Sequence, residues 1–297
     1  MQLALTLVSP THEAAQAAIG PLTAALAGAN ARVKEPRPLG TGAIDLAVEA
    51  EAIAPVRIAV ANALEDLPID ACVQHWNGRK KRLLIADMDS TIIGCECIDE
   101  LADFAGVKDK VSEITERAMR GELDFESALR ERVAMLKGLS VDVLQRCYDE
   151  RVTLNPGART LVRTMVANGA GAFLVSGGFT FFTARVARAA GFQANRANTL
   201  VEAAGLLTGE VGSPILGREA KLAALREETA AAGFTPAEAL AVGDGANDLA
   251  MINEAGLGVA YRAKPIVAAE ADAKVDFADL TALLYFQGYT AADFVTD

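Results

Sequence analysis

The distribution of apolar and polar residues divides the chain into two parts. In residues 1–76, short apolar stretches alternate with stretches of helical spacing. The predicted segments, in the order strand, helix, strand, strand, helix and strand, are Leu3–Val8, Thr11–Leu26, Ala31–Lys34, Ala43–Val48, Ala52–Leu67 and Ile69–Gln74. This order is that of a split β-α-β motif and predicts a small α+β domain over residues 1–78.

A polar cluster, Asn77–Arg82, interrupts the pattern and predicts a domain boundary. Its basic residues precede an apolar run, and such a short charged stretch is more typical of a solvated linker than of a nucleic-acid patch. The sequence therefore predicts a second domain over residues 79–297.

Four continuous apolar runs mark the second domain, and three helical segments lie among them. The runs are Leu83–Ala86, Gly171–Val175, Ala239–Val242 and Leu257–Ala260, and the helical segments are Ala158–Asn168, Phe181–Ala190 and Glu219–Ala232. Continuous apolar runs are typical of strands that are buried on both faces. The rhythm predicts an α/β, doubly wound parallel-sheet (Rossmann-like) core.

The stretch from Ile98 to about Arg151 is rich in Leu, Ala, Glu, Arg and Lys at helical spacing. It is too long for a simple crossover loop. We therefore expect an inserted helical cap at about residues 95–152, which covers the strand ends and excludes water.

The net charge and the composition of the chain limit the partners and the location that we expect for it. The 297 residues carry a net charge of −11, which disfavours nucleic acid and anionic membranes as partners. An anionic ligand would need a local cation or a metal ion. Residues 1–8 lack a basic leader and no apolar run reaches the ~20 residues of a membrane span, so we expect a cytoplasmic protein whose four cysteines are ordinary thiols.

Histidine is confined to His12 and His75, far in sequence from the strand ends. A histidine base or a serine triad is therefore disfavoured. The first of these strand ends instead carries Asp87 and Asp89, whose carboxylates can divide the roles of nucleophile and general acid. Taken alone, these two residues fit a helix cap equally well.

Two further clusters come after later strands. Asp244 and Asp248 flank a Gly-Ala-Asn turn and suit Mg²⁺, although a plain turn fits them as well. Ser176 with the Gly177 and Gly178 amides suits a phosphate group, with a serine-capped turn as the alternative. Lys221 can supply the required cation or lie on the surface. In doubly wound folds, ligands bind at the carboxyl ends of the strands, where all three clusters are predicted to lie.

Taken together, Asp87-x-Asp89-x-Thr91, Ser176, Lys221 and Gly243-Asp244-x-x-x-Asp248 resemble the motifs of the haloacid dehalogenase-like hydrolase superfamily from about residue 82 onward. The resemblance is closest to its phosphoserine phosphatase family. The residues that carry this closer resemblance are Asp87–Thr91, Glu96, Phe125–Arg132, Ser176–Gly178, Gly243–Asp248 and Ala263–Pro265.

The resemblance implies the roles of the site residues. Asp87 would be the nucleophile that forms an aspartyl-phosphate, and Asp89 the acid that protonates the leaving oxygen and then the base that activates water. Mg²⁺ would be held by Asp87, the Asp89 carbonyl and Asp244, with Asp248 tuning the ligand shell. Phosphate oxygens would be bound by Ser176, the Gly177 amide and Lys221, with Asn247 assisting.

The resemblance also implies the substrate, O-phosphoserine, in the last step of serine biosynthesis. Glu96 would bind its ammonium group and Arg132 its carboxylate, while Met119 and Phe125 close the site. Alternatives are another small phosphomonoester, such as phosphothreonine or a sugar phosphate, and a non-catalytic amino-acid sensor. A degenerate sensor would be expected to lose part of the catalytic set.

The N-terminal domain carries no comparable motif. Its predicted topology is ferredoxin-like and resembles the ACT-like modules found beside amino-acid enzymes, which bind amino acids or form dimers. A structural role, a homodimer contact and serine sensing all remain open for it.

Overall fold

The computed structural model describes residues 1–119 and 122–296, apart from the side chains of Ala118 and Met119. The elements of the N-terminal part, in chain order, are β1 (Gln2–Val8), α1 (His12–Gly28), β2 (Arg32–Val33), β3 (Arg37–Gly40), β4 (Ala43–Glu49), α2 (Ile53–Leu64) and β5 (Asp70–His75).

The predicted alternation of strands and helices is observed, with one additional short strand. The strands of this N-terminal part are antiparallel and lie in the order β2-β4-β1-β5, with β3 also paired to β4. The β3 strand escaped prediction because Pro38 and Gly40 disfavour strands, and its pairing with β4 is irregular between these two residues. The assignment to an ACT-like module stays a prediction.

The remaining elements build the larger part of the molecule. In chain order they are β6 (Leu83–Ala86), α3 (Cys97–Phe104), α4 (Lys108–Met119), α5 (Phe125–Ala134), α6 (Asp142–Arg151), α7 (Ala158–Ala167), β7 (Gly171–Phe179), α8 (Thr180–Ala190), β8 (Ala194–Asn198), β9 (Leu200–Ala203), β10 (Leu206–Val211), α9 (Arg218–Ala231), β11 (Ala239–Gly243), α10 (Leu249–Glu254), β12 (Leu257–Tyr261), α11 (Pro265–Glu270), β13 (Ala273–Val275) and α12 (Ala282–Phe286).

The predicted parallel sheet is present, in the order β13-β12-β11-β6-β7-β8. Strands β6, β11 and β12 are buried along their whole length, as their continuous apolar runs predicted. Strands β8 and β13 were not predicted. Strand β8 is an edge strand whose sequence, Ala-Asn-Arg-Ala-Asn, has no continuous apolar run, and β13 is only three residues long.

The two parts share one sheet. Strand β5 pairs antiparallel with β13 through the residue pair Cys72 and Ala273. The apolar core between β1, β4, α1 and α2 is nevertheless separate from the two cores that cover the faces of the parallel sheet. One of these two cores also takes in Val8, Ala43 and Cys72 of the N-terminal part, so the apolar cores do not divide at residue 78, and the predicted boundary stays a prediction.

The segment between the two parts differs from the predicted solvated linker. Arg79 and Lys81 are both only 8% exposed. Arg79 donates to Asp45 Oδ1 and Oδ2 at 2.9 and 2.7 Å, and its guanidinium lies 4.5 Å from the Trp76 ring centroid. Lys81 donates through Nζ to the Ala237 carbonyl. Sequence alone did not reveal these partners because they are distant along the chain.

Helices α3–α6, which are called the cap, lie between β6 and β7 in the stretch where the sequence predicts an inserted cap. The chain enters and leaves it through two adjacent segments, which pair at Ile93 and Leu154. A hairpin of β9 and β10 contacts the cap from the core side. Its Gly205 and Leu207 exchange three backbone hydrogen bonds with residues 138–141 of the cap, at 2.9 to 3.0 Å.

Two expectations from the sequence concern membrane-spanning helices and the state of the cysteines. Within the described residues, no helix is both long and apolar enough to cross a membrane. The four cysteines are free thiols, and Cys72, Cys97 and Cys147 are buried.

The contact between Arg79 and Asp45 yields a stability prediction. Asp45, 1% exposed, also accepts a hydrogen bond from the Thr6 hydroxyl at 2.8 Å. We expect D45A to lower the free energy of unfolding by about 3–5 kcal/mol, because the Arg79 charge stays buried without a partner. Urea unfolding followed by circular dichroism measures this change.

The control is E49A, which removes the half-exposed ion pair of Glu49 with Lys34 on the same strand β4. It should leave the unfolding midpoint nearly unchanged, because exposed ion pairs contribute little. Equal midpoints for D45A and E49A would contradict a structural role for the buried pair.

Candidate active site

The polar residues predicted at the strand ends meet at one edge of the sheet. Asp87 follows β6, Ser176 lies in the last part of β7 and Asp244 follows β11. Strand β6 lies between β7 and β11, so three neighbouring strands supply the site. Ser176, Gly177 and Gly178 belong to an irregular extension of β7, where the pairing with β8 shifts between Val175 and Phe179.

A buried lysine joins two of the carboxylates. Lys221 lies in the first turn of α9 and is 2% exposed. Its Nζ lies 2.7 Å from Asp87 Oδ1 and 2.5 Å from Asp248 Oδ1. Burial alone would lower the pKa of Lys221, but the carboxylates of Asp248 and Asp87 outweigh it and hold the pKa above its ordinary range. Lys221 is therefore a permanent cation at the site.

Asp89 has different neighbours. Its Oδ1 accepts from the Cys97 backbone N–H at 2.9 Å, and its Oδ2 accepts from the Ser176 hydroxyl at 3.2 Å. Burial, followed by the charge of Glu96, raises the pKa of Asp89 to about 7. The turn that carries Asp89 is tight, since Ser90 has a φ of +56°. Asp87 and Asp89 are thus two carboxyl groups in distinct surroundings.

The donor set fits a hard divalent cation. Carboxylate oxygens of Asp87, Asp244 and Asp248 lie within 4.8 Å of one another. Burial, followed by the charge of Asp248, raises the pKa of Asp244 to about 6, and the same two causes raise the pKa of Asp87. Burial and the neighbouring carboxylate thus oppose ionisation of both groups despite Lys221, and a bound Mg²⁺ would favour their ionised forms.

Asp248 has both oxygens engaged within the protein. Oδ1 contacts Lys221, and Oδ2 accepts from the Gly245 N–H at 3.0 Å. Asp244 is freer, with a long 3.4 Å hydrogen bond from the Thr91 hydroxyl to its Oδ1. Asp248 is therefore less available as a direct metal ligand than Asp244.

The carboxylates face a cavity of about 450 Å³ between the sheet edge and the cap. Predicted site residues from the core and from the cap line it: Asp87, Asp89, Glu96, Phe125, Arg132, Ser176, Gly177, Asp244 and Asn247. Lys221 and Asp248 lie behind this wall. Met119 lies outside the described side chains. A second cavity of about 680 Å³ adjoins the first at Phe125, Arg132 and Asn247.

The cap contributes charges of both signs. Glu96 accepts a 2.6 Å hydrogen bond from the Ser90 hydroxyl. Arg132 lies on α5, where burial lowers the pKa of its guanidinium and the charges of Asp99 and Glu96 oppose that shift. The Phe125 ring lies against the Gly177 backbone, where an added methyl group would come within 3.1 Å of it.

Several residues that line this cavity had no role in the prediction from the sequence, among them Asp99, Thr115 and Lys264. Asp99 lies one helical turn beyond Glu96 and faces Arg132, while Thr115 reaches the cavity from α4. Lys264 precedes α11, and its backbone N–H donates to the Asp244 carbonyl at 3.1 Å. The position of Asp99 three residues after Glu96 was an available signal, and Lys264 lies within the stretch Ala263–Pro265 that carries the family resemblance, whereas Thr115 offered no signal beyond its polarity.

Comparison with known proteins agrees with this geometry. The model of the family described as haloacid dehalogenase-like hydrolase matches residues 84–253. The chain belongs to this family. Within it, a phosphoserine phosphatase of Polaromonas sp. is 48% identical over 68% of this chain and 88% of the relative.

Two further relatives extend the match toward the N-terminus of this haloacid dehalogenase-like hydrolase. A phosphoserine phosphatase of Streptomyces coelicolor is 43% identical over 86% of the chain, and the match spans 64% of that relative's length. The unliganded structure of a probable phosphoserine phosphatase from Vibrio cholerae has a TM-score of 0.76 at 32% identity. That alignment covers 98% of this chain and 88% of the Vibrio chain.

The packing around Gly178 yields a prediction for this hydrolase. A Cβ atom at this position would lie 2.7 Å from Asp89 Oδ2 and 3.0 Å from Ser176 Oγ. We expect G178A to lower kcat for p-nitrophenyl phosphate roughly 10- to 100-fold, because Asp89 must move from its hydrogen-bonded position. Steady-state phosphate release measures the loss.

G20A serves as the control, because a Cβ at Gly20 on α1 has nothing within 4 Å. Both variants should retain the wild-type circular dichroism spectrum. A G178A enzyme with the kcat of G20A would show that the close approach of Gly178 to Asp89 has no catalytic importance.

Proposed function

We propose that this protein hydrolyses O-phosphoserine to serine and phosphate through an aspartyl-phosphate on Asp87. The observation that carries the proposal is the placement of two carboxyl groups in one cavity with different neighbours: Asp87 lies against the Lys221 ammonium group, and Asp89 accepts from the Cys97 N–H and the Ser176 hydroxyl. The relatives named phosphoserine phosphatase support the choice of substrate.

Asp87 is suited to be the nucleophile. The Lys221 ammonium group 2.7 Å from Oδ1 opposes the rise in the pKa of Asp87 that burial and the charge of Asp248 cause, and a bound Mg²⁺ would favour the ionised carboxylate further. In the first step, a carboxylate oxygen of Asp87 forms a bond to phosphorus as the bond between phosphorus and the serine oxygen breaks. The carboxylate alone supplies the electron pair, so no histidine is needed.

Asp89 is suited to be the acid and then the base. With a pKa of about 7, a large fraction of Asp89 is protonated near neutral pH and can donate that proton to the departing serine oxygen. The resulting carboxylate then accepts a proton from the water that attacks the aspartyl-phosphate. Phosphate leaves, and Asp87 and protonated Asp89 are restored.

The phosphate group of the substrate would lie against Ser176, the Gly177 amide and Lys221, with Asn247 across the cavity. Hydroxyl, amide and ammonium donors suit phosphate oxygens. Asp87, the Asp89 carbonyl and Asp244 would hold Mg²⁺, with Asp248 behind them. When bound, the ion reduces the repulsion between the Asp87 carboxylate and the phosphate and stabilises the charge of the transferring group.

The cap would select the substrate. Glu96 and Arg132 line the same cavity as Asp87 and are matched in charge to the ammonium and carboxylate groups of phosphoserine. The ring of Phe125, and in the sequence-based prediction Met119, would exclude water. The convergence of Asp87, Asp89, Lys221 and Asp244 argues against a non-catalytic sensor.

We also propose that α1 and α2 make a homodimer contact. After Glu13 helix α1 carries no charged residue, and the one charged residue of α2, Arg57, is paired with Asp272 at 2.9 Å. In a chain of net charge −11, such a face lets a second copy approach without repulsion. Ile58 on this face is 62% exposed. A monomeric mass measured by light scattering would refute the homodimer contact.

The nucleophile assignment predicts the outcome of D87N. The amide is a poor nucleophile, so phosphate release from phosphoserine should fall by a factor on the order of 10³ or more, with the fold intact. The assay uses wild type and D87N with Mg²⁺ and after removal of divalent ions by a chelator. Wild-type activity should require the added ion, and D87N activity near that of wild type would exclude Asp87 as the nucleophile.

The substrate assignment predicts a selective effect at Arg132. We expect R132E to raise KM for phosphoserine roughly 10- to 100-fold, since a lost charge-assisted contact to the carboxylate is worth about 1.5–3 kcal/mol. KM for p-nitrophenyl phosphate, which lacks that carboxylate, should change little.

The matched control is R130E, which reverses an exposed charge two residues earlier on α5. It should leave both KM values near those of wild type. Equal increases in the two KM values for R132E would favour a different small phosphomonoester as the substrate.

A further inference from the structure

A buried asparagine lies behind the candidate site and is absent from the roles assigned so far. Asn198 is the last residue of β8 and is 1% exposed. It does not line the cavity and therefore does not contact substrate. Its side chain nevertheless joins two segments that carry predicted site residues.

The Asn198 amide makes three hydrogen bonds to backbone groups. Nδ2 donates to the Gly177 carbonyl at 2.8 Å and to the Leu216 carbonyl at 3.1 Å. Oδ1 accepts from the Leu216 N–H at 2.7 Å. The orientation of the amide is determined, because only its oxygen can accept the Leu216 hydrogen.

The first contact fixes the peptide between Gly177 and Gly178. Asn198 holds its carbonyl, while its N–H donates to Ser176 Oγ at 2.8 Å. That hydroxyl in turn donates to Asp89 Oδ2. A rotation of this peptide would therefore move both the Ser176 hydroxyl and the neighbouring amide that is proposed to bind phosphate.

The second pair of contacts fixes the start of α9. Leu216 precedes Gly217, the residue that caps this helix at its N-terminus, and Lys221 lies in the first helical turn. The Nζ position of Lys221 against Asp87 depends on where α9 begins. One side chain thus holds the Ser176 segment and the Lys221 segment at a set distance from each other.

We propose that Asn198 is a positioning residue that keeps the phosphate-binding groups of β7 and α9 in register. The inference rests on the proposed function, because it takes Ser176, the Gly177 amide and Lys221 as the groups that bind phosphate. Asparagine is required because two carbonyls need donors and one N–H needs an acceptor. In N198D, a carboxylate oxygen would replace the Nδ2 donor and would face the Gly177 and Leu216 carbonyl oxygens, which it cannot satisfy.

The variants N198A and N198D test the proposal, with N195A as the matched control. Asn195 lies on the same strand, but its Oδ1 accepts from the Thr183 hydroxyl on α8 at 2.8 Å, away from the site. Inorganic phosphate is the probe, with binding measured by calorimetry and inhibition of phosphoserine hydrolysis measured alongside. Thermal unfolding reports any general loss of stability.

We expect N198A to lower kcat/KM for phosphoserine about 10- to 100-fold and to weaken phosphate binding by a similar factor. The inhibition constant for serine should stay within about twofold of wild type, because the hydrogen bonds of Asn198 reach Gly177 and Leu216 and not Glu96 or Arg132. N198D should be impaired at least as much as N198A, and N195A should match wild type in phosphate affinity and turnover.

Two results would overturn the inference. One is phosphate affinity and turnover in N198A equal to those of N195A. The other is a parallel loss of phosphate affinity, serine inhibition and thermal stability, which would indicate a purely structural role. Calorimetry with phosphate does not depend on turnover, so a wild-type enzyme that leaves phosphoserine intact would refute the proposed function while the test of Asn198 stands.

Discussion

The contact of Lys221 with Asp87 and Asp248 is the interaction on which the site depends. Four carboxyl groups, of Asp87, Asp89, Asp244 and Asp248, converge at the edge of one sheet, and their repulsion would oppose folding. A fully buried ammonium group between two of them offsets part of that cost. Burial, together with the charges of neighbouring carboxylates, still raises the pKa values of Asp87, Asp89 and Asp244. A bound divalent cation would offset the repulsion between these carboxylates and favour their ionised forms.

The N-terminal part joins the core through polar groups of defined geometry. Asp70 accepts backbone hydrogen bonds from Asp276, Phe277 and Ala278, at distances between 2.7 and 3.3 Å. Gln74 donates to the Phe286 carbonyl at 2.7 Å. Such contacts demand a particular orientation of their partners, unlike an apolar surface that can slide. Together with the β5 and β13 pairing, they hold the two parts in one arrangement.

Local pattern predicted the strands that carry the chemistry and failed for features made by long-range contacts. The runs before Asp87 and Asp244 were recognisable because a strand buried on both faces is continuously apolar and ends at its first polar residue. Strand β8 could not be predicted from an apolar pattern, because its polar residues, among them Asn198, form hydrogen bonds with partners on other elements. Arg79 was taken for a solvated residue for the same reason, since Asp45 lies 34 positions away. Burial of a polar side chain depends on a partner that periodicity does not identify.

The hairpin of β9 and β10 has a consequence for the catalytic cycle. Its backbone bonds to residues 138–141 attach the cap to the core at a second place, besides the two segments that lead into it. An outward rotation of the cap about these two segments would therefore either break the three bonds or carry the hairpin along with the cap. The hairpin thus belongs to whichever rigid unit the cap forms during such a movement.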